Sequence, residues 1–247
     1  MPSLLCAAVL MSLSVTLAPG AAASEAQAPR AVIELFTSQG CSACPPADAK
    51  VVAMARDPDI IALTLHVDYW DYLGWEDTLA HAAFSERQRD YAELRGDRGV
   101  FTPQMVVNGL YACIGSDQRA LDASLASATR QAQRLPVPVR IERQGNDLTI
   151  ALLADHPDGA EIWLLAVEPD VTVAIERGEN RGREARYANV VRDITHITAW
   201  DGARTVLQAR LPDDTGRFVI LVQRRDGDRP GRVVGAARGD GIPAAGL

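Results

Sequence analysis

The chain predicts an α/β domain over residues 30–135, followed by a small all-β, sandwich-like domain over residues 138–240. Three observations carry this expectation. An apolar run, Ala31-Val32-Ile33-Glu34-Leu35-Phe36, leads into Gly40-Cys41-Ser42-Ala43-Cys44-Pro45 and then into a helical pattern that begins near Ala47. Periodicity as far as about Gln133 reads strand, helix, strand, helix, hairpin, helix. Leu135-Pro136-Val137-Pro138 then forms a stiff connector, beyond which short strands are divided by Asp, Gly and Pro.

Residues 1–23 read as a secretory signal peptide. Residues 4–17 are almost continuously apolar, too short to span a bilayer, and lead to Pro19-Gly20 and the small residues Ala21-Ala22-Ala23. No lysine or arginine precedes this core, so the competing reading is a misassigned start with a basic residue lost upstream. Cys6 leaves with the signal. Later stretches are too short or too polar for a transmembrane helix, so the expected product is soluble in an oxidising compartment, periplasmic or secreted.

Residues 31–36 have the continuous apolar character of a buried strand. Glu34 interrupts it, either as a buried carboxylate that exchanges a proton with a thiol or as a paired or edge charge. Helix formers follow from Ala47, with Val51, Val52 and Met54 at apolar positions, and Asp57-Pro58 ends them. Residues 60–67 form a second buried strand, in which His66 reads as a hydrogen-bonded strand histidine before a catalyst. Aromatics then concentrate in residues 68–75, although the chain is only 5% aromatic. Tyr69 and Trp70 sit where the strand ends, at the sheet edge where ligand-facing loops gather, and are candidate substrate-binding residues. Packing of Trp70 and Trp75 against the next helix, residues 78–94, is the alternative. Phe101-Thr102-Pro103-Gln104 opens the strand 105–107, and Asn108-Gly109 turns the hairpin into residues 110–114. Gly115-Ser116-Asp117 starts the last helix of this half, with Ser116 as the expected cap.

Two cysteines separated by two residues at a strand-to-helix turn can close a small disulfide ring. Partial positive charge at the helix N-terminus favours the thiolate of the first. Cys41 is therefore the candidate nucleophile, expected to be the more exposed and more acidic thiol, and Cys44 the resolving thiol. Half a zinc site is the competing reading, but His66, His81, His156 and His196 are scattered and only Cys113 remains as a thiol, so no metal site and no cofactor is expected. Parity leaves Cys113 unpaired: a buried apolar filler by default, a third redox thiol or an intermolecular partner otherwise.

At 247 residues, with 47% apolar and 23% charged residues, the chain is long enough for real cores. A formal charge of -7, without a block of lysine and arginine, argues against nucleic-acid binding. The second half offers a hairpin around Gly145-Asn146-Asp147 and short strands near residues 162–167, 171–175, 205–211, 218–222 and 233–237. Residues 179–187 are charged and read as a solvated hairpin or a binding loop. This half may be read as a cover for the cysteines, a partner-holding unit or a stabiliser, and the sequence leaves those open. It leaves the oligomeric state open too.

The order of elements, with Cys-x-x-Cys after the first strand and Thr102-Pro103 before the hairpin, resembles the thioredoxin and glutaredoxin fold. That resemblance implies a cis bond before Pro103, facing the cysteines, with Thr102 and Pro103 shaping a substrate groove. Thr102-Pro103-Gln104, Asn108-Gly109 and Gly115-Ser116-Asp117 are similar to the segment with which glutaredoxins hold glutathione, although Cys113 and Ile114 stand where smaller residues are usual. Residues 34–41 and 66–75 resemble a family of secreted bacterial thioredoxin-like proteins whose domain has no assigned function. The expectation is a periplasmic or secreted thiol-disulfide oxidoreductase acting on protein or glutathione-type disulfides. A carrier of a soft ion such as copper(I) and a binding module with a structural disulfide are the alternatives.

Overall fold

The computed structural model describes residues 28–132, 135–213 and 215–239. The expected signal peptide, residues 1–23, lies outside the described residues. The first strand, β1 (Ala31–Thr37), is buried along its whole length. Its alternating side chains feed two cores, because successive residues of a strand point to opposite faces. Val32 and Phe36 enter one core, while Ala31, Ile33 and Leu35 enter the other.

From β1 the chain continues through α1 (Pro45–Met54), β2 (Ile60–His66), α2 (Ala82–Arg95), β3 (Gln104–Val107), β4 (Tyr111–Ile114) and α3 (Gln118–Ala132). These are the expected elements in the expected order. Helix α2 covers the first core with Phe84 and Tyr91, and α1 and α3 cover the second with Ala47, Val51, Leu121 and Ala128. Asn108 and Gly109 both take positive φ at the tip of the hairpin that joins β3 and β4, as a two-residue turn of this hand requires. The Thr102–Pro103 peptide is cis. Asp117, not Ser116, caps α3: its carboxylate accepts the backbone N–H groups of Arg119 and Ala120.

The second half holds β5 (Val139–Gln144), β6 (Asp147–Leu152), β7 (Ala160–Ala174), β8 (Glu184–Trp200), β9 (Thr205–Arg210), β10 (Arg217–Asp226) and β11 (Arg229–Gly239). Here the expected fold class is overturned. The chain is mostly β, with eleven strands against three α-helices among the described residues. Eight of those strands form one mixed sheet in the order β11-β10-β7-β8-β2-β1-β3-β4, and only β5-β6-β9 stand apart. This is neither a typical thioredoxin-like α/β layer nor an α/β layer with a self-contained sandwich behind it. The reason is the long strand β8, which pairs antiparallel with β7 and parallel with β2 through Thr64 and Val190, so the later strands extend the first sheet.

Polar groups reinforce the junction. The Thr64 hydroxyl donates to the Ala188 carbonyl at 2.8 Å, and Asn189 Nδ2 donates to the Ala62 carbonyl at 2.9 Å. Burial raises the worth of such bonds, since losing one leaves an unsatisfied group. The connector at residues 135–138 is also part of the packing: Leu135 and Val137 are buried, and the Val137 N–H donates to the Val234 carbonyl.

Candidate functional site

Cys41 and Cys44 form a disulfide, with Cα atoms 5.4 Å apart, in the turn between β1 and α1. Helix α1 begins at Pro45. Two prolines at its first positions lack N–H groups where a helix has no carbonyl to offer them. Cys44 is therefore the residue before the helix and Cys41 lies three residues further out, so the positive end of the helix acts most closely on Cys44. The expectation that Cys41 is the exposed thiol does not hold, because Cys41 is 1% and Cys44 0% exposed.

What covers them comes from far along the chain. At the tip of the β7–β8 hairpin, Asn180 Nδ2 donates to the carbonyls of Gln39 at 2.9 Å and Cys41 at 2.8 Å. On the other side Trp70 packs against Gly40, where a Cβ would lie 3.2 Å from that of the tryptophan, so glycine permits the close approach. Trp70 Nε1 donates to Thr102 Oγ1 at 2.8 Å, which joins the aromatic loop to the residue before Pro103. Tyr69 donates its hydroxyl to Gln88 on α2 and packs in the first core. Gly115 N donates to the Pro103 carbonyl, and a Cβ there would meet Ala47 of α1 at 3.0 Å. Ser116 is exposed, and Asp117 is engaged at the start of α3.

Joined to the cysteine turn is a buried polar cluster. Thr37 Oγ1 donates to Asp48 Oδ1 at 2.7 Å, and His66 Nδ1 is 2.8 Å from Asp77 Oδ2. The same Asp77 oxygen accepts the Gln39 N–H at 2.7 Å, which ties the cysteine turn to the loop after β2. His66 is a bonded strand histidine, as read; its Nε2 is buried without a partner, and its ring meets Tyr187 edge-on at 4.5 Å. Burial pushes Asp48 up to about 7 from its ordinary 3.8; Thr37 and His66 pull it down, and Asp77 pushes it up. A carboxyl that titrates near neutrality can take up and give back a proton.

Glu34, the proton-transfer residue nominated by sequence, is committed elsewhere. Arg87 Nε donates to one oxygen and the Tyr91 hydroxyl to the other, both at 2.6 Å. Arg87 also donates to Gln223 of β10. Glu34 is thus the paired charge of the two readings. Cys113 is free and buried beside Met105 and Leu35, and burial raises its thiol pKa against a lowering hydrogen bond with Ser124. Among the described residues no group of three or more His, Cys, Asp or Glu is placed to hold a metal ion, and no helix is long and apolar enough to cross a membrane.

Sequence reading missed Asp48, Asp77 and Asn180. Asp48 left a signal, an acid four residues after Cys44 and so on the same helix face. Asn180 left none, since it stands between charged, exposed neighbours.

Residues 32–223 match the family model described as "Protein of unknown function (DUF1223)". The chain belongs to the DUF1223 family. A similar solved structure is the crystal structure of protein AGR_C_4864 from Agrobacterium tumefaciens, 32% identical, with a TM-score of 0.77 over 90% of this chain and 98% of that one. HBP35 of Porphyromonas gingivalis is similar in fold alone, 14% identical with a TM-score of 0.60 over 89% of this DUF1223 chain and 78% of its own. No curated protein matches the chain.

Proposed function

We propose that this DUF1223 protein is a thiol-disulfide oxidoreductase of the periplasm or cell exterior, exchanging electrons with protein or glutathione-type disulfides. The observation that carries the reading is the Cys41–Cys44 disulfide at the start of α1, one turn before a buried carboxyl, Asp48, that titrates near neutrality and whose N–H donates to the Cys44 carbonyl. In the reducing direction the Cys41 thiolate attacks one sulfur of a substrate disulfide and the other leaves as a thiolate. Cys44, its proton passed to Asp48, then attacks Cys41 Sγ, re-forming the Cys41–Cys44 bond and releasing the second substrate thiol. The substrate gains two electrons and two protons, and the dithiol loses them. Trp70, packed on Gly40, and Thr102, which it bonds, border the approach. Residues 1–23, read as a secretory signal, support the oxidising location.

One observation favours a second reading: both sulfurs are buried, as in a binding module with a structural disulfide. Equilibration in a series of glutathione buffers, with free thiols counted by mass, separates the two. A redox-active pair interconverts across the series in a two-electron step, whereas a structural one stays oxidised throughout. Repeating the titration with copper(I) tests whether the reduced thiols hold a soft ion instead.

A further inference from the structure

Beyond Ala188 the β7–β8 hairpin leaves the sheet as a two-stranded ribbon. β10 accompanies β7 only as far as Val167, opposite Arg217, and β2 meets β8 over Ala188, Asn189 and Val190. From there the ribbon runs on through the pairs Val171–Tyr187, Thr172–Arg186, Val173–Ala185 and Ala174–Glu184, with no third strand beside it. A two-stranded ribbon is marginal by itself, and this one is seated by Tyr187, buried with Leu79 and Val190 while Val171, Val173 and Ala185 pack against them, and by what its tip holds.

The tip, residues 175–183, is almost wholly exposed. Its two buried residues are Ile175 and Asn180. Asn180 is 2% exposed, and both hydrogen bonds of its amide nitrogen go to the cysteine turn, to the carbonyls of Gln39 and Cys41. Its Oδ1 is buried without a partner. The tip also roofs a cavity of about 350 Å³ lined by Ser38, Pro45, Asp48, Ile175, Asn180 and Tyr187, of which Ser38 precedes the cysteines in sequence and Pro45 and Asp48 follow them. Nothing in the ribbon's own folding requires an asparagine there; its contacts serve the cysteine turn.

We propose that the ribbon tip is a gate over the Cys41–Cys44 disulfide and that Asn180 is its specificity-determining residue. Closed, it denies an attacking thiolate the line to either sulfur, which most strongly excludes disulfides carried on folded proteins. Exchange with such a substrate proceeds after the two Asn180 bonds break and the tip swings off the cavity. This inference rests on the oxidoreductase reading for its purpose, but the gate itself is testable without turnover.

The experiment is reduction of the oxidised protein by excess tris(carboxyethyl)phosphine, in which phosphorus attacks sulfur and water supplies the oxygen of the phosphine oxide. The two released thiols are alkylated and followed by mass against time. Wild type, Asn180→Ala, Asn180→Asp and Arg181→Ala are compared. Asn180→Asp keeps the volume while removing both donors, and so serves if the alanine variant does not fold. Arg181 is exposed on the same tip and controls for disturbance of the ribbon. The expected result is reduction roughly ten- to hundredfold faster in the Asn180 variants than in wild type, the worth of two ordinary hydrogen bonds, with Arg181→Ala unchanged. Equal rates in all folded forms would overturn the gate. Faster reduction of the Asn180 variants without turnover by any form would keep the gate and remove the oxidoreductase reading; equal rates with turnover would do the opposite.

Discussion

Replacing Asp48 by asparagine keeps the volume of the side chain and leaves an oxygen to accept the Thr37 hydroxyl, but takes away the proton that titrates. In the folded protein that carboxyl stands at about 7 instead of 3.8, chiefly because it is buried. At about 1.36 kcal/mol per pH decade, ionising it in place carries a penalty on the order of 4 kcal/mol. The sign is opposite to that of a salt-bridged aspartate. Across the window from 3.8 to about 7 the folded chain holds a proton that the unfolded chain has released, so stability falls as pH rises. Below the window both states are protonated, and above it the full penalty is present. Urea unfolding of the oxidised protein and of Asp48→Asn should therefore give similar stabilities near the acid end, with the variant gaining as pH rises to roughly 4 kcal/mol above neutrality. A gap between the two proteins that stays flat with pH would refute the reasoning, because it would mean that Asp48 does not hold its proton into the neutral range. The same variant should exchange disulfides more slowly than wild type near neutrality, since Cys44 then loses its proton acceptor.

Arg87→Ala strips the partner from a fully buried carboxylate, Glu34, and should cost about 3–5 kcal/mol in urea unfolding, with Glu34→Gln in the same chain recovering part of the loss. Asn189→Ala places alanine at a positive φ of 49° and orphans the Ala62 carbonyl. It should cost about 2–3 kcal/mol. Because β8 continues the sheet of β2, circular dichroism and tryptophan fluorescence should follow a single shifted transition; two separate transitions would contradict a shared sheet.

The elements of the first half were legible because each follows a local rule. Buried runs mark β1 and β2, Asn108-Gly109 marks the hairpin, and Asp57-Pro58 ends the first helix. The second half hid its decisive member. β8 carries Arg192, Asp193, Thr195, His196 and Thr198 among its apolar residues, and its run of five buried residues, 187–191, is split by Asn189, so no sustained apolar run or clean alternation announces a strand of 17 residues. Its pairing with β2 is a long-range contact that no local pattern encodes, and without it the later strands read as a sandwich of their own. The dithiol was legible from spacing. The chemistry around it was not, because Asp77 and Asn180 reach the cysteine turn only through the fold, and Glu34, the conspicuous acid, is neutralised by Arg87 from α2.

Turnover of glutathione disulfide by wild type, Cys41→Ala, Cys44→Ala and Cys113→Ala tests the proposed dithiol most directly. Cys113 packs in the core beside Met105 and has no disulfide partner. The expected result is that wild type and Cys113→Ala turn over alike, Cys41→Ala is inactive, and Cys44→Ala accumulates a glutathione adduct on Cys41. Turnover that survives loss of Cys41, or that stops with loss of Cys113 in a folded protein, would contradict a mechanism built on the Cys41–Cys44 pair.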